Sequence, residues 1–275
     1  MTTSYMFIDG AYLDACVSGF CTKWFGEQGD IDYEHLDWNT VPGVPRYKKF
    51  FYYDALPLQR KDEAAADFGS RLKAKEDLFE RLRRLDGWHV HLGIARRHQG
   101  KVAQQKEVDV LLACDMLTHA HRKNMDQLAF FAGDQDFRPL LDAVVRDGMY
   151  VTLVYDPAHT SADLINMADA RRGLDCLSFW KLFSPQFLAR HPVPVLNTHN
   201  GVPQFQHGIL EQVGYRAGVM VARVWRSTID PNFHIATALP TPNNQFFEYR
   251  LQSNLDLLKR VFQEYEGPIE RASPP

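Results

Sequence analysis

Along the first two thirds of the chain, short apolar runs closed by an acid alternate with longer stretches of helical periodicity. Tyr5-Met6-Phe7-Ile8 ends at Asp9-Gly10, and the run at 48–53 ends at Asp54, so both read as buried strands entering turns. Residues 62–85 set Ala65, Phe68, Leu72, Leu78, Leu82 and Leu85 near helical spacing before Gly87 breaks the pattern. A third strand is predicted at 88–94. A second amphipathic helix follows at 106–120, with Val108, Leu111, Leu112 and Leu117 as its apolar members. Residues 126–132 predict a fourth strand ending at Gly133-Asp134, and 137–146 a helix stopped by Gly148. Residues 149–155 predict a fifth strand, ending at Asp156-Pro157. Strands alternating with helices require right-handed crossovers, so the fold class expected is α/β: a Rossmann-like parallel sheet sandwiched by helices.

The texture changes near residue 190. His191-Pro192-Val193-Pro194 reads as a linker. Beyond it, strands are expected at 205–210, 216–225 and 233–239, and a helix at 246–265. The expected organisation is a catalytic-type domain over 1–188 and a small α+β appendage over 195–275.

Composition narrows the class of function. Lys+Arg 31 against Asp+Glu 34 gives a formal charge of −3, which excludes binding of nucleic acid through a generally basic surface but permits local basic strips. The start of the chain has no basic lead and no long apolar run, so no secretory signal is expected. No window approaches the roughly 20 apolar residues of a membrane span. Cys16, Cys21, Cys114 and Cys176 include no C-x-x-C pair, so free thiols in a reducing cytoplasm are expected.

In an open parallel sheet, ligands bind outside the carboxyl ends of the strands. Four of the five predicted strands end at an acid: Asp9, Asp54, Asp134 and Asp156. Asp136 shares the Asp134 turn, and Asp109 lies in the first turn of the helix that starts near Lys106. Single acids at such places also serve as helix caps or turn formers, and for Asp54 and Asp156 that reading weighs equally. For Asp9 and Gly133-Asp134-Gln135-Asp136-Phe137, the clustering favours function. Asp115 lies about 240° around the helix from Asp109 and is assigned a supporting role. Two carboxylates about 4 Å apart repel by roughly 4 kcal/mol at an effective dielectric near 20. Such a cluster needs a cation, and oxygen-only ligands favour Mg²⁺ or Mn²⁺. The common use of a carboxylate-held Mg²⁺ is phosphoryl chemistry. The chain has no G-x-S-x-G, Walker or G-x-G-x-x-G pattern to compete with this assignment.

These residues resemble a known group. Phe7-Ile8-Asp9-Gly10-Ala11-Tyr12-Leu13 is similar to the opening of NYN domains, and Lys106-Glu107-Val108-Asp109-Val110 followed by Asp115 to their K-x-V-D helix start. Gly133-Asp134-Gln135-Asp136-Phe137-Arg138-Pro139-Leu140 resembles their G-D-x-D-F-x-P-L turn. Ser161-Ala162-Asp163-Leu164 through Ala168-Asp169 is similar to their closing segment. The motifs keep family order over roughly 4–182. NYN domains belong to the PIN-like nuclease superfamily, and the match suggests its LabA-like bacterial branch. The resemblance implies a metal-dependent nuclease acting mostly on RNA, with Asp9, Asp109, Asp134 and Asp136 as metal-binding and catalytic acids. Asp54, Lys106, Asp115, Asp156 and Ser161 would support them. Ala11 departs from the family, where many relatives carry Asn or Ser.

A polyanion beside acidic ligands needs cations nearby. Arg96, Arg97 and Lys101 precede the Asp109 helix, Arg46, Lys48 and Lys49 form a second strip, and Arg138 follows the Asp turn. Arg96, Arg97, Lys101, Arg138 and Lys48 are the expected nucleic-acid contacts. Trp24, Phe25, Tyr12 and Tyr33 are equally well read as base-stacking residues or as packing of the long first loop. Three other readings stay open: a DNA nuclease using the same acids, a metal-dependent phosphatase, and a catalytically silent RNA-binding module. The charges of residues 195–275 cancel, so a role in self-association or in binding a protein partner is expected there.

Overall fold

Six parallel strands form the first sheet: β1 (Ser4–Asp9), β2 (Lys49–Ala55), β3 (Trp88–Gly93), β4 (Gln127–Phe131), β5 (Tyr150–Tyr155) and β6 (Ala170–Gly173), in the order β3-β2-β1-β4-β5-β6. This computed structural model describes residues 2–33, 47–93, 106–238 and 245–272. The chain divides into two units, Met1–Ser178 and Phe179–Pro275. The division falls ahead of the Pro192–Pro194 segment at which the sequence suggests a linker.

β1 is the central strand, and Met6, Phe7 and Ile8 are fully buried because helices cover both faces of the sheet. Phe7 sits opposite Phe51 of β2 and Phe130 of β4, and stacks on the Phe51 ring at 5.0 Å. From β1 the chain moves outward through β2 and β3, then returns to β4 on the other side of β1. The reversal places the switch point between the carboxyl ends of β1 and β4, where an open α/β sheet leaves a crevice.

The connections are α1 (Gly10–Trp24), α2 (Ala65–Arg83), α3 (Lys106–His121), α4 (Arg138–Arg146) and the short α5 (Ala162–Ile165). Gly93 and Val108 meet so closely that a β-carbon at Gly93 would lie 2.4 Å from the Val108 side chain and 2.9 Å from its nitrogen. α1 occupies residues that the sequence reading gave to the turn after β1 and to the long first loop. Gly10, Leu13, Cys16, Cys21 and Trp24 are its buried residues, and Gly19 and Thr22 obscure that stripe in the sequence. β6 is a sixth strand the pattern did not predict, because an edge strand of Ala-Arg-Arg-Gly carries no apolar run.

The second unit holds an antiparallel sheet: β7 (Val195–Asn200), β8 (Gly208–Arg216), β9 (Val219–Ser227), β10 (Asn232–Thr237), β11 (Gln245–Gln252) and β12 (Glu270–Ala272), ordered β12-β8-β9-β10-β11-β7. α6 (Cys176–Trp180) spans the division, and α7 (Pro185–Arg190) precedes the sheet. α8 (Leu255–Glu266) packs on β10 and β11. Here too the sequence reading needs correction. The single helix expected at 246–265 is a strand followed by a helix, separated by Ser253 at φ 53° and by Asn254, whose side chain caps α8 through the Leu257 amide at 3.0 Å. β7 escaped prediction because as an edge strand it is mostly exposed on both faces. No helix among the described residues is long and apolar enough to cross a membrane.

Candidate functional site

Asp9 ends β1 and begins α1. Its Oδ1 accepts the Tyr12 amide at 3.1 Å, so the carboxylate caps the helix. Gly10 is required for the next step: a β-carbon there would lie 2.6 Å from Asp54 Oδ2 and 2.7 Å from the Tyr52 ring. The helix therefore starts directly against β2. Burial raises the Asp9 carboxyl from 3.8 to about 7; the Tyr12 amide opposes the rise, and the charges of Asp109 and Asp54 add to it.

Asp109 occupies the first turn of α3. Burial raises its carboxyl, and Asp134 and Asp136 raise it further. Asp134 follows β4 and caps a single 3-10 turn, Gln135–Phe137, with its Oδ1 accepting the Asp136 amide at 2.9 Å. Phe137 anchors that turn by packing edge-on against Phe130 at 5.1 Å, which leaves Asp134 and Asp136 exposed. Beside them a groove of about 360 Å³ runs between α3 and α4, lined by Asp109, Val110, Leu117, Asp136 and Pro139 among others. The acids thus form an electrostatic series at the sheet's carboxyl edge, Asp109 acting on Asp9, and Asp134 and Asp136 on Asp109.

The remaining predicted residues fall elsewhere. Asp54 is buried and paired with Lys75 at 2.6 Å; it also accepts from the Tyr52 hydroxyl at 3.1 Å and the Ala55 amide at 2.7 Å. Lys75 also pairs with Asp14. This is a structural ion pair behind Asp9, felt there as added negative charge. Asp115 accepts from the Tyr53 hydroxyl at 3.1 Å and lies 3.5 Å from His91, facing β2 and β3. Ser161 makes no side-chain cap to α5, but its amide donates to the Gly133 carbonyl at 3.2 Å. Lys106 opens α3, and exposed Arg138 opens α4 two residues after Asp136.

Lys48 precedes β2 and donates its amide to Ser4 at the start of β1, so it marks the amino edge of the sheet, a strand's length from Asp9. It therefore does not flank the acids at the carboxyl edge, where the sequence reading set it. Arg46, Arg96, Arg97 and Lys101 lie outside the described residues. Trp24 and Tyr33 are buried, so core packing rather than base stacking accounts for them.

One group was missed in the sequence. Cys16 of α1 and Asp156 and His159 after β5 bring their ligating atoms within 4.8 Å of one another, and among the described residues no other trio of His, Cys, Asp or Glu does so. His159 Nδ1 lies 2.6 Å from Asp156 Oδ2. Burial pushes the Cys16 thiol up to about 12. The D-x-x-H spacing was visible, but its sulfur partner lies some 140 residues away, beyond any local pattern.

Comparison with known proteins follows this geometry. No curated protein matches. A solved structure of a Vibrio parahaemolyticus protein of unknown function aligns at 20% identity and a TM-score of 0.44, over 63% of this chain and 94% of that one. A Parabacteroides merdae protein provisionally titled an oxidoreductase aligns at 11% identity and a TM-score of 0.25, over 66% of this chain and 29% of its own. Likenesses this loose bear on neither fold nor chemistry. The family comparison is of another order: residues 4–172 match the NYN domain, spanning β1 through β6 and every acid of the series. The chain belongs to the NYN domain family.

Proposed function

We propose that this protein is a metal-dependent endoribonuclease, hydrolysing RNA phosphodiester bonds at the carboxyl edge between β1 and β4. Family membership supplies a PIN-like α/β fold with nuclease-type hydrolase potential. The observation that carries the reading is the run of carboxylates leaving the sheet at the switch point, with Asp109 acting on Asp9, and Asp134 and Asp136 on Asp109.

The donor set fits a hard divalent ion, being all oxygen and strongly anionic. Asp9, Asp109, Asp134 and Asp136 would draw together to hold Mg²⁺ or Mn²⁺, since no three of them bring ligating oxygens within 4.8 Å of one another. Such an ion, when bound, would offset the phosphate charge and make a water more acidic. The chain's own residues do the rest. Asp134 is fixed in direction by its hydrogen bond to the Asp136 amide, and Asp9 by its cap on α1. Arg138, exposed at the head of α4, would meet the RNA backbone.

The test is cleavage of a mixed RNA pool with Mg²⁺ or Mn²⁺, with the ends mapped. Asp134→Asn should fold normally and lose at least a hundredfold in rate, and EDTA should abolish wild-type cleavage. A folded Asp134→Asn protein that cuts at the wild-type rate would sink the proposal. Matched DNA strands and assay of inorganic phosphate separate ribonuclease from DNA nuclease and phosphatase.

A further inference from the structure

We propose that Cys16, Asp156 and His159 form a second metal site, one for a zinc-class cation, separate from the four-carboxylate edge. The sulfur, a carboxylate oxygen and a ring nitrogen all lie within 4.8 Å of one another. Donors around tetrahedral zinc, with bonds of about 2.0–2.3 Å, stand roughly 3.3–3.8 Å apart. Closing on an ion therefore asks for movements of about 1 Å, within reach of side-chain rotation.

The backbone frame is already set. Tyr12, one turn before Cys16, accepts the Asp156 amide on its hydroxyl at 2.8 Å and shares a hydrogen bond with Thr160 Oγ1 at 2.6 Å. These contacts fasten α1 to the turn after β5, so the three donors face one another before any ion arrives. That prior ordering removes much of the entropic cost of capture.

Donor chemistry selects the ion. Sulfur with imidazole favours zinc and its neighbours, and disfavours Mg²⁺ and Ca²⁺. On binding, Cys16 releases its thiol proton to solvent, and thiolate plus carboxylate then match a double positive charge. His159 binds as the neutral ring: its Nδ1 proton is exchanged through solvent for one on Nε2, which frees Nδ1 for the ion. Exposure grades outward across the group: Cys16 is fully buried, while the Asp156 and His159 side chains are 19% and 47% exposed. Ions can thus enter past His159, and three protein ligands leave a fourth position for water. The same buried sulfur rules out a Cys–His nucleophile, because no substrate carbonyl or phosphorus can reach it.

The site would bear on the acidic edge without entering it. α1 begins beside Asp9, and the turn carrying His159 continues to Ser161, whose amide holds the Gly133 carbonyl next to Asp134. A cation at Cys16 would clamp both segments.

The experiment is titration of the full chain with Co²⁺, which reports a thiolate ligand through a sulfur-to-cobalt charge-transfer band in the near ultraviolet. One equivalent should give the band in wild type, in Asp134→Asn and in Cys114→Ser, which removes an exposed thiol. Cys16→Ser should abolish it. His159→Ala, at a half-exposed position with little effect on folding, should weaken Co²⁺ binding at least tenfold with an unchanged circular dichroism spectrum. A wild-type protein without the band, a band that survives Cys16→Ser, or a folded His159→Ala protein binding as wild type would each overturn the proposal. Because Asp134→Asn keeps this site, the outcome is independent of the nuclease reading.

Discussion

Replacing Asp9 by Asn tests the electrostatic account of the acidic edge without any substrate. Asn keeps a capping oxygen for the Tyr12 amide, so α1 retains its start. What disappears is a charge the folded state holds at a loss. Burial and the neighbouring acids carry the carboxyl from 3.8 to about 7. For a fully enclosed group, that rise costs about 4 kcal/mol once the carboxylate is ionised. Asp9 retains some contact with water, so screening reduces the expected cost to about 2–3 kcal/mol. Between pH 4 and 7 the folded protein binds more protons at this position than the unfolded chain, so wild-type stability falls as pH rises through that window. In EDTA, Asp9→Asn should therefore be more stable than wild type by about 1 kcal/mol at pH 5 and about 2–3 kcal/mol at pH 8. Chemical denaturation at both values measures the difference, in which titrating groups not coupled to Asp9 cancel between the two proteins. Adding Mn²⁺ at pH 8 should raise wild type and leave the variant unmoved. A stability difference that stays constant from pH 5 to pH 8 would refute the reasoning.

Two further outcomes follow from buried charges. Lys75→Met keeps the apolar stem but leaves buried Asp54 unpaired, which should destabilise the first unit by about 3–5 kcal/mol, with Asp54→Asn restoring most of the loss in the double variant. In the second unit, His234 at 2.6 Å and His199 at 2.5 Å hold the Glu248 carboxyl down at about 2. Because the folded value lies below the ordinary 4.5, this contribution is full above pH 4.5 and is lost as pH falls toward 2. Glu248→Gln should cost about 2 kcal/mol at pH 7 and markedly less near pH 3, by denaturant titration.

The parallel sheet was legible because buried central strands leave an unmistakable trace: Tyr5–Ile8 and Leu128–Phe131 are apolar at consecutive positions, not alternate ones. The acids were legible for a related reason, since each strand needs something polar at its exit, and those exits converge by topology. α1 was hidden because its buried stripe is built from cysteines and Trp24 around a glycine, residues with weak helical signatures. β11 was read as helix because Phe246, Tyr249 and Leu251 mix both periodicities, and only the Ser253-Asn254 break separates strand from helix. Lys48 shows a different failure. Sequence places it near Asp54 along the chain, while parallel pairing with β1 carries it to the far edge. The Cys16 group was out of reach because tertiary contact alone joins α1 to the turn after β5.

The contact between Gly93 and Val108 has an evolutionary side. It closes the chain on itself where β3 ends and α3 begins, so the entrance to α3, and with it Asp109, is fixed by residues outside the segment 94–105. Selection on the acids thereby extends to a residue that carries no chemistry of its own, because any side chain at 93 would displace the first turn of α3 and Asp109 with it.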